Sequence, residues 1–317
     1  MPFLKLTSDF LFKTLFTQNP DLLVALINSI LHLKGDKKLI SLDILNPEIQ
    51  KEILSDKLSV LDIKARDETG NIFHIEMQAF PQDFYSKRAA YYWAKLYFRQ
   101  LNQGDLYSSL KKVYSINLLN FTVVPQKKRY HYTFLSLEKY DPKIKLTDDF
   151  EVHILELPRF KKVLENIQSD LETWLYVIKK SRRLKETDMK ALVEKNPILE
   201  KAFVELDKLS MDAKTRELYE MREIGLHDYN TNIQSAFEKG EKKGEKRGIK
   251  EGKREGIEKG KKRGDRKRSI RTAIHLKKSG MDTEFIAKAV ELPIPWLERF
   301  FQKVRIENIT NGGNLSV

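Results

Sequence analysis

A chain of 317 residues, 41% apolar and 10% aromatic, has enough non-polar side chain for one sizeable core and a smaller appendage, so a wholly disordered protein is excluded. It has no cysteine, which rules out a disulfide framework or a thiolate metal site. Its formal charge of +13 points to a polyanionic partner, nucleic acid before anionic membrane.

The longest apolar run, Leu22 to Leu33, is interrupted by Asn28, Ser29 and His32 and is too short to span a bilayer. The N-terminus lacks a charged region followed by an apolar stretch and a small-residue cleavage site. A soluble, cytoplasmic protein without membrane association is expected. Thr7-Ser8-Asp9 ahead of FLFKTLF marks a helix start, with any of the three polar residues as cap. Capping is the simpler role for Asp9, and helping to hold a metal is the other. Asn19-Pro20-Asp21 opens a second helix through Leu33, closed by Gly35. Lys38 to Leu45 alternates weakly before Asn46-Pro47 breaks the pattern.

A β-hairpin follows. Two alternating runs, Ser59 to Arg66 and Ile72 to Met77, flank Asp67-Glu68-Thr69-Gly70-Asn71. Leu61, Ile63 and Ala65 share one face of the first run and Phe73, Ile75 and Met77 one face of the second, leaving Asp62, Lys64, His74, Glu76 and Gln78 on polar faces. A three-residue loop Glu68-Thr69-Gly70, with Gly70 in the left-handed position, pairs Lys64 with His74 and Asp62 with Glu76. A two-residue Gly70-Asn71 turn would instead send Asp62 and Glu76 to opposite faces. Two acids directly across a hairpin repel each other. Lys64, a raised pKa on one acid, or a divalent cation held between the two could offset that. A solvent-exposed edge hairpin with ordinary polar faces is the competing reading.

Phe80-Pro81-Gln82-Asp83 turns into an aromatic amphipathic helix, Tyr85 to Gln103, ending at Gly104. Arg88 and Tyr92, four apart on one face, could reach the polar side of the hairpin and orient a phosphate. Strand-like runs at Val113 to Phe121, His131 to Leu137 and Val152 to Leu157 complete a mixed α/β layer. From Lys161 to about Asn230 the apolar spacing is helical, with a break at Asn196-Pro197.

Glycine then recurs at every fourth position from 240 to 264, among Glu, Lys and Arg. Glu238 to Arg271 holds 16 Lys/Arg against 7 Asp/Glu. The glycines either form a slanted stripe on a helix that a second helix can approach, or mark a flexible basic linker. The tail, Asp282 to Phe301, is similar to a helix-turn-helix, with Glu291 where the turn usually has Gly. No zinc spacing, phosphate-cradling loop or GxSxG is present, so the hairpin acids are the only constellation for catalysis.

An Asp on one strand with Glu-x-Gln fourteen to sixteen residues later resembles the PD-(D/E)XK nuclease superfamily, with glutamine in place of its usual lysine. SDFLFKTLF, LDIKARDETGNIFHIEMQ, RAAYYWAKLYFRQL, GDLYSSLKKVYSINLLNF and VHILELPRF are similar to the Rpn family of recombination-promoting nucleases and transposases. A charged Gly-repeat followed by an IAKAVELP-like tail is also usual in that family. The resemblance implies a restriction-endonuclease-like mixed sheet with helices on its faces, followed by an all-helical C-terminal region. The expected division is a nuclease-like domain at 1–160, a helical region at 161–235, a basic Gly-repeat segment at 236–268 and a small helix-turn-helix-like tail at 269–317. Asp62 and Glu76 would bind Mg2+ or another divalent cation, and Gln78 would stand beside the attacking water. Gln78 can orient that water but cannot supply the charge of a lysine. Asp9, Lys64, Arg88 and Tyr92 would support the site. Lys242, Lys243, Lys246, Arg247, Lys261, Lys262 and Arg263 would contact double-stranded DNA, and the Gly-repeat could join two copies. The implied activity is that of a metal-dependent endodeoxyribonuclease associated with recombination or mobile elements. A non-catalytic DNA-binding or oligomeric scaffold on the same fold is the alternative.

Overall fold

A computed structural model describes residues 2–45, 62–125 and 129–304. Ser59 to Leu61, at the start of the expected first hairpin strand, and the Asn46-Pro47 break lie outside the described residues, as does the chain beyond 304. The strands are β1 (Asp43–Ile44), β2 (Asp62–Arg66), β3 (Ile72–Gln78), β4 (Val113–Leu119), β5 (His131–Leu135) and β6 (Phe150–Glu156). They form one mixed sheet in the order β1-β2-β3-β4-β6-β5. β3, β4 and β6 run parallel, and the other neighbouring pairs are antiparallel. Parallel neighbours need a crossover, and α3 (Tyr85–Phe98) supplies it between β3 and β4.

Alternation along the strands gives the sheet two different faces. Ile63, Ala65, Phe73, Ile75 and Met77 join α1 (Asp9–Gln18) and α2 (Pro20–Ile30) in the main core. On the other face α3 lays Tyr85 and Ala89 against Leu119, Tyr132, Val152 and Ile154. The polar hairpin residues lie on that face, so α3 roofs them.

α3 stops at Phe98, short of the expected Gln103. The reason is local competition for main-chain groups. Asp105 Oδ2 accepts from Asn102 N at 2.7 Å, while Gln100 spends its amide on both main-chain groups of Lys111, at 2.9 and 2.8 Å. The loop is thereby tied to the entry of β4.

Helices α4 (Asp170–Lys180), α5 (Glu186–Lys195) and α6 (Ile198–Met211) pack Trp174, Leu175, Ile178, Leu192, Leu199 and Leu206 into the same core as the sheet. The stretches 1–160 and 161–235 therefore share one hydrophobic interior. Residues 1–230 form one compact unit and residues 231–317 a second.

α7 (Ala213–Lys278) carries the Gly-repeat in helical form, and Lys242, Lys243, Lys246, Arg247, Lys261, Lys262 and Arg263 are all exposed on it. Pairs four apart, such as Arg247–Glu251 and Lys262–Glu258, help offset the weak helix propensity of glycine. In the second unit α8 (Thr283–Val290) and α9 (Ile294–Lys303) close over Ala273, Ile286, Ala287, Val290 and Leu297. Asp282 caps α8 by accepting from Phe285 N at 2.7 Å. Glu291 takes a φ of 52°, the left-handed conformation that the turn requires and that glycine usually supplies. No helix among the described residues is long and apolar enough to cross a membrane.

Candidate active site

The hairpin closes in the register of the three-residue loop. Asp62 pairs with Glu76, Lys64 with His74 and Arg66 with Ile72. Gly70 has a φ of 91°, and the Asp67 carboxylate accepts from Thr69 N and Asn71 N, each at 2.9 Å. The turn thus carries its own hydrogen-bond framework, and the register follows from it. Asp62 and Glu76 consequently share one face of neighbouring strands.

Neither acid is exposed: Asp62 retains 8% of its accessible surface and Glu76 1%. An edge hairpin with a solvated polar face is therefore ruled out. Each carboxylate has a cationic neighbour. Asp62 Oδ2 lies 2.8 Å from His74 Nε2 and 3.4 Å from Lys64 Nζ. Glu76 Oε1 accepts from Arg88 Nη2 at 2.8 Å.

Burial disfavours ionisation of both acids, but the outcome differs. At Asp62 burial is outweighed by the His74 hydrogen bond and the charges of His74, Lys64 and Lys13, which bring its pKa down to about 2. At Glu76 burial prevails over Arg88, His74 and a Tyr85 hydrogen bond, with Asp62 adding repulsion, and the pKa is raised. Two of the offsets expected from sequence, a lysine beside the pair and a raised pKa on one acid, are both realised.

Arg88 and Tyr92 both reach the polar side of the hairpin, as expected, whereas Asp9 is placed differently. Arg88 does not stand open to a phosphate: it is held by Glu76 and by the Gln82 side chain. Tyr92 stacks on His74, with ring centroids 5.8 Å apart, and lies beneath the Arg88 guanidinium. Asp9 is not the cap residue of α1. Ser8 occupies the cap position, and Asp9 forms a buried ion pair with Arg222 of α7, Oδ2 to Nη2 at 2.5 Å. Gln78 follows Glu76 on the same face, its Nε2 making a 3.4 Å hydrogen bond to Phe80 O.

Four further residues complete the site. Lys13 of α1 is fully buried, and its charge acts on Asp62. His74 orients Asp62, and its Nδ1 is buried without a hydrogen-bond partner among the described residues. Tyr85 donates to Asn117 Oδ1 at 3.0 Å, and Asn117 Nδ2 in turn donates to His153 O at 3.0 Å. Lys13 is the only charged residue in FLFKTLF, and Asn117 interrupts an apolar strand. Those were the available signals.

Among the described residues no group of three or more His, Cys, Asp or Glu side chains is placed to hold a metal ion. The carboxylates of Asp62 and Glu76 and the amide oxygen of Gln78 are nonetheless donors of the type that a hard divalent cation takes. The raised pKa of Glu76 means that burial disfavours its charged form more than Arg88, His74 and Tyr85 favour it.

The sequence pattern of a family described as PD-(D/E)XK nuclease family transposase matches residues 6–236. That span holds Asp62, Glu76 and Gln78. Neither a curated protein nor a solved structure matches the chain.

Proposed function

Because the chain belongs to the PD-(D/E)XK nuclease family transposases, we propose that it is a metal-dependent endodeoxyribonuclease acting in recombination or mobile-element movement. The observation that carries this reading is the direct pairing of Asp62 with Glu76, two buried carboxylates on one face of the sheet. Asp62, Glu76 and Gln78 are the catalytic set, and Asp62 and Glu76 would hold Mg2+ or another divalent cation. That ion, when bound, supplies Lewis-acid polarisation of the phosphate and a water that is nucleophilic at neutral pH.

The chain's own residues do the rest. Asp62 is fully ionised at neutral pH because His74, Lys64 and Lys13 favour its charge. Gln78 orients the attacking water by hydrogen bonding. Lys13 and Lys64 bring to the site the positive charge that a lysine at position 78 would have provided. α3 excludes bulk water from Glu76 and so strengthens every charge interaction beneath it. Lys242, Lys243, Lys246, Arg247, Lys261, Lys262 and Arg263 contact the phosphates of double-stranded DNA without reading sequence. The activity belongs in the cytoplasm, where such a substrate is met.

The test is nicking of supercoiled plasmid with Mg2+ or Mn2+. Cleavage is expected to disappear in Asp62→Ala and in Glu76→Ala while circular dichroism stays unchanged. Equal activity in the variants would refute the assignment.

A second reading is favoured by the cationic neighbours already present on both acids and by the exposed basic face of α7. It is a DNA-binding or oligomeric scaffold whose glycine stripe packs against a second copy. Salt-sensitive DNA binding that is lost on deleting 238–271, with no cleavage in any divalent metal, would establish it.

A further inference from the structure

We propose that a basic cleft at the carboxyl ends of β3 and β4 holds the phosphodiester backbone of the DNA substrate. The proposal rests on the reading that DNA is what this protein acts on, and it says where the strand lies. The cleft has a volume of about 750 Å³, too large for a single anion and of a size for a short run of nucleotide backbone.

Its charge is one-sided. Lys5, Lys179, Lys180, Arg182 and Arg183 line it, and Glu223 is the one acid among the described lining residues. Glu223 reaches Lys5 at 3.7 Å, a contact open to solvent on both sides. Lys180, Arg182 and Arg183 have no ion-pair partner among the described residues, and the two arginines are exposed. Lysines in the last turn of a helix complement its dipole, which accounts for Lys179 and Lys180 at the end of α4. It does not account for Arg182 and Arg183, which lie in the following turn, Ser181–Arg183.

The wall is built rather than incidental. Ser181 Oγ accepts from Leu6 N at 2.9 Å, which fastens the N-terminal arm to the arginine-bearing turn. Lys179 is anchored by donating to Phe160 O at 2.6 Å. Ser8, also in the wall, is 2% exposed, and its hydroxyl has no hydrogen-bond partner among the described residues although it occupies the cap position of α1.

Position relative to the hairpin acids completes the case. The floor is formed by Ala79 and Phe80, the residues directly after Gln78, and by Asn120, whose N–H donates to Gln78 O at 2.9 Å. Ligands of α/β sheets lie outside the carboxyl ends of parallel strands, and β3 and β4 are parallel here. A backbone lying in this cleft presents its phosphates next to Gln78.

The test uses the full chain in EDTA, so that binding is read without cleavage. Fluorescence anisotropy of a labelled 20-base-pair duplex is measured over a salt series for the native chain and for Lys180→Gln/Arg182→Gln/Arg183→Gln. Each lost phosphate contact removes about 0.9 from the slope of log affinity against log salt, so a slope shallower by about 3 and affinity down at least tenfold are expected. An unchanged slope and affinity would overturn the proposal. Amide hydrogen exchange of the native chain with the same duplex is expected to show protection at residues 3–8, 79–80 and 120, and no protection there would overturn it. Equal protection by inorganic phosphate alone would also overturn it, by making the cleft a small-anion site. The nuclease reading fails on separate grounds: no cleavage in any divalent metal, with the shallower slope and the protection intact, would sink that reading and keep the cleft.

Discussion

Asp62 and Glu76 face each other across two hydrogen-bonded strands yet titrate in opposite directions, and the cause lies in their neighbours. The pKa of Asp62 in the folded chain, about 2, lies below its ordinary 3.8. The folded state therefore binds that proton less tightly than the unfolded chain does. The stabilisation is fully present above about pH 4 and is lost as pH falls towards 2, an effect of about 2 kcal/mol. Urea midpoints taken between pH 7 and pH 2 are expected to fall more steeply for the native chain than for Asp62→Asn. Lys13 is the other informative residue at this scale. In Lys13→Met the acid keeps His74 and Lys64, so folding is expected to survive, while its pKa rises. Cleavage is expected to drop about 10- to 100-fold, the usual cost of losing a supporting residue at a metal site. A plasmid-nicking rate equal to that of the native chain would remove Lys13 from the site.

At the scale of single elements, the hairpin turn sets which side chains meet. Gly70 has a φ of 91°, and a Cβ there would meet Lys111 Cγ at 3.2 Å. Gly70→Ala is expected to cost about 1–2 kcal/mol through backbone strain, read as a lower denaturant midpoint with an unchanged slope. This turn was legible in the amino-acid order because Asp67, Gly70 and Asn71 are close neighbours along the chain and their geometry needs no distant partner. The length of α3 was not legible to the same degree. The absence of a helix breaker before Gly104 suggests continuation to Gln103, but Asp105 and Lys111 draw the main chain and side chains of Asn102 and Gln100 away from the helix. The seven glycines of α7 show a different limit. A Cβ at any of them would meet nothing within 4 Å, so a single copy of the chain gives no steric reason for glycine there.

Over the whole molecule, one buried ion pair joins the first helix to the last helix of the larger unit. Asp9 and Arg222 are 8% and 3% exposed. Removing one partner of such a pair strands the other charge away from water and costs about 3–5 kcal/mol. Asp9→Ala is therefore expected to destabilise the 1–230 unit by up to that amount, measured by chemical denaturation of the full chain. A change under about 1 kcal/mol would mean that Arg222 escapes to solvent. The shared core of the sheet with α4, α5 and α6 explains why this pair matters: the helices after residue 160 form one wall of the same interior. Glu172 reinforces that wall, accepting from Tyr130 at 3.0 Å and from Lys162 at 2.6 Å.

The order of amino acids was enough to establish the alternation of the hairpin and to narrow its register to two turns, of which the folded chain takes the one that brings Asp62 to Glu76. Period-two patterning and a glycine-dependent turn act between residues a few positions apart, so they can be read along the chain. Tertiary structure decided how each acid is charged, that Arg88 is committed to Glu76, that Lys13 reaches the site and that Asp9 belongs to Arg222. Those outcomes depend on burial and on groups brought together by chain folding, as with Asp9 and Arg222, 213 positions apart. Local periodicity carries no record of which distant charge will be left beside which acid once water has been removed from around both.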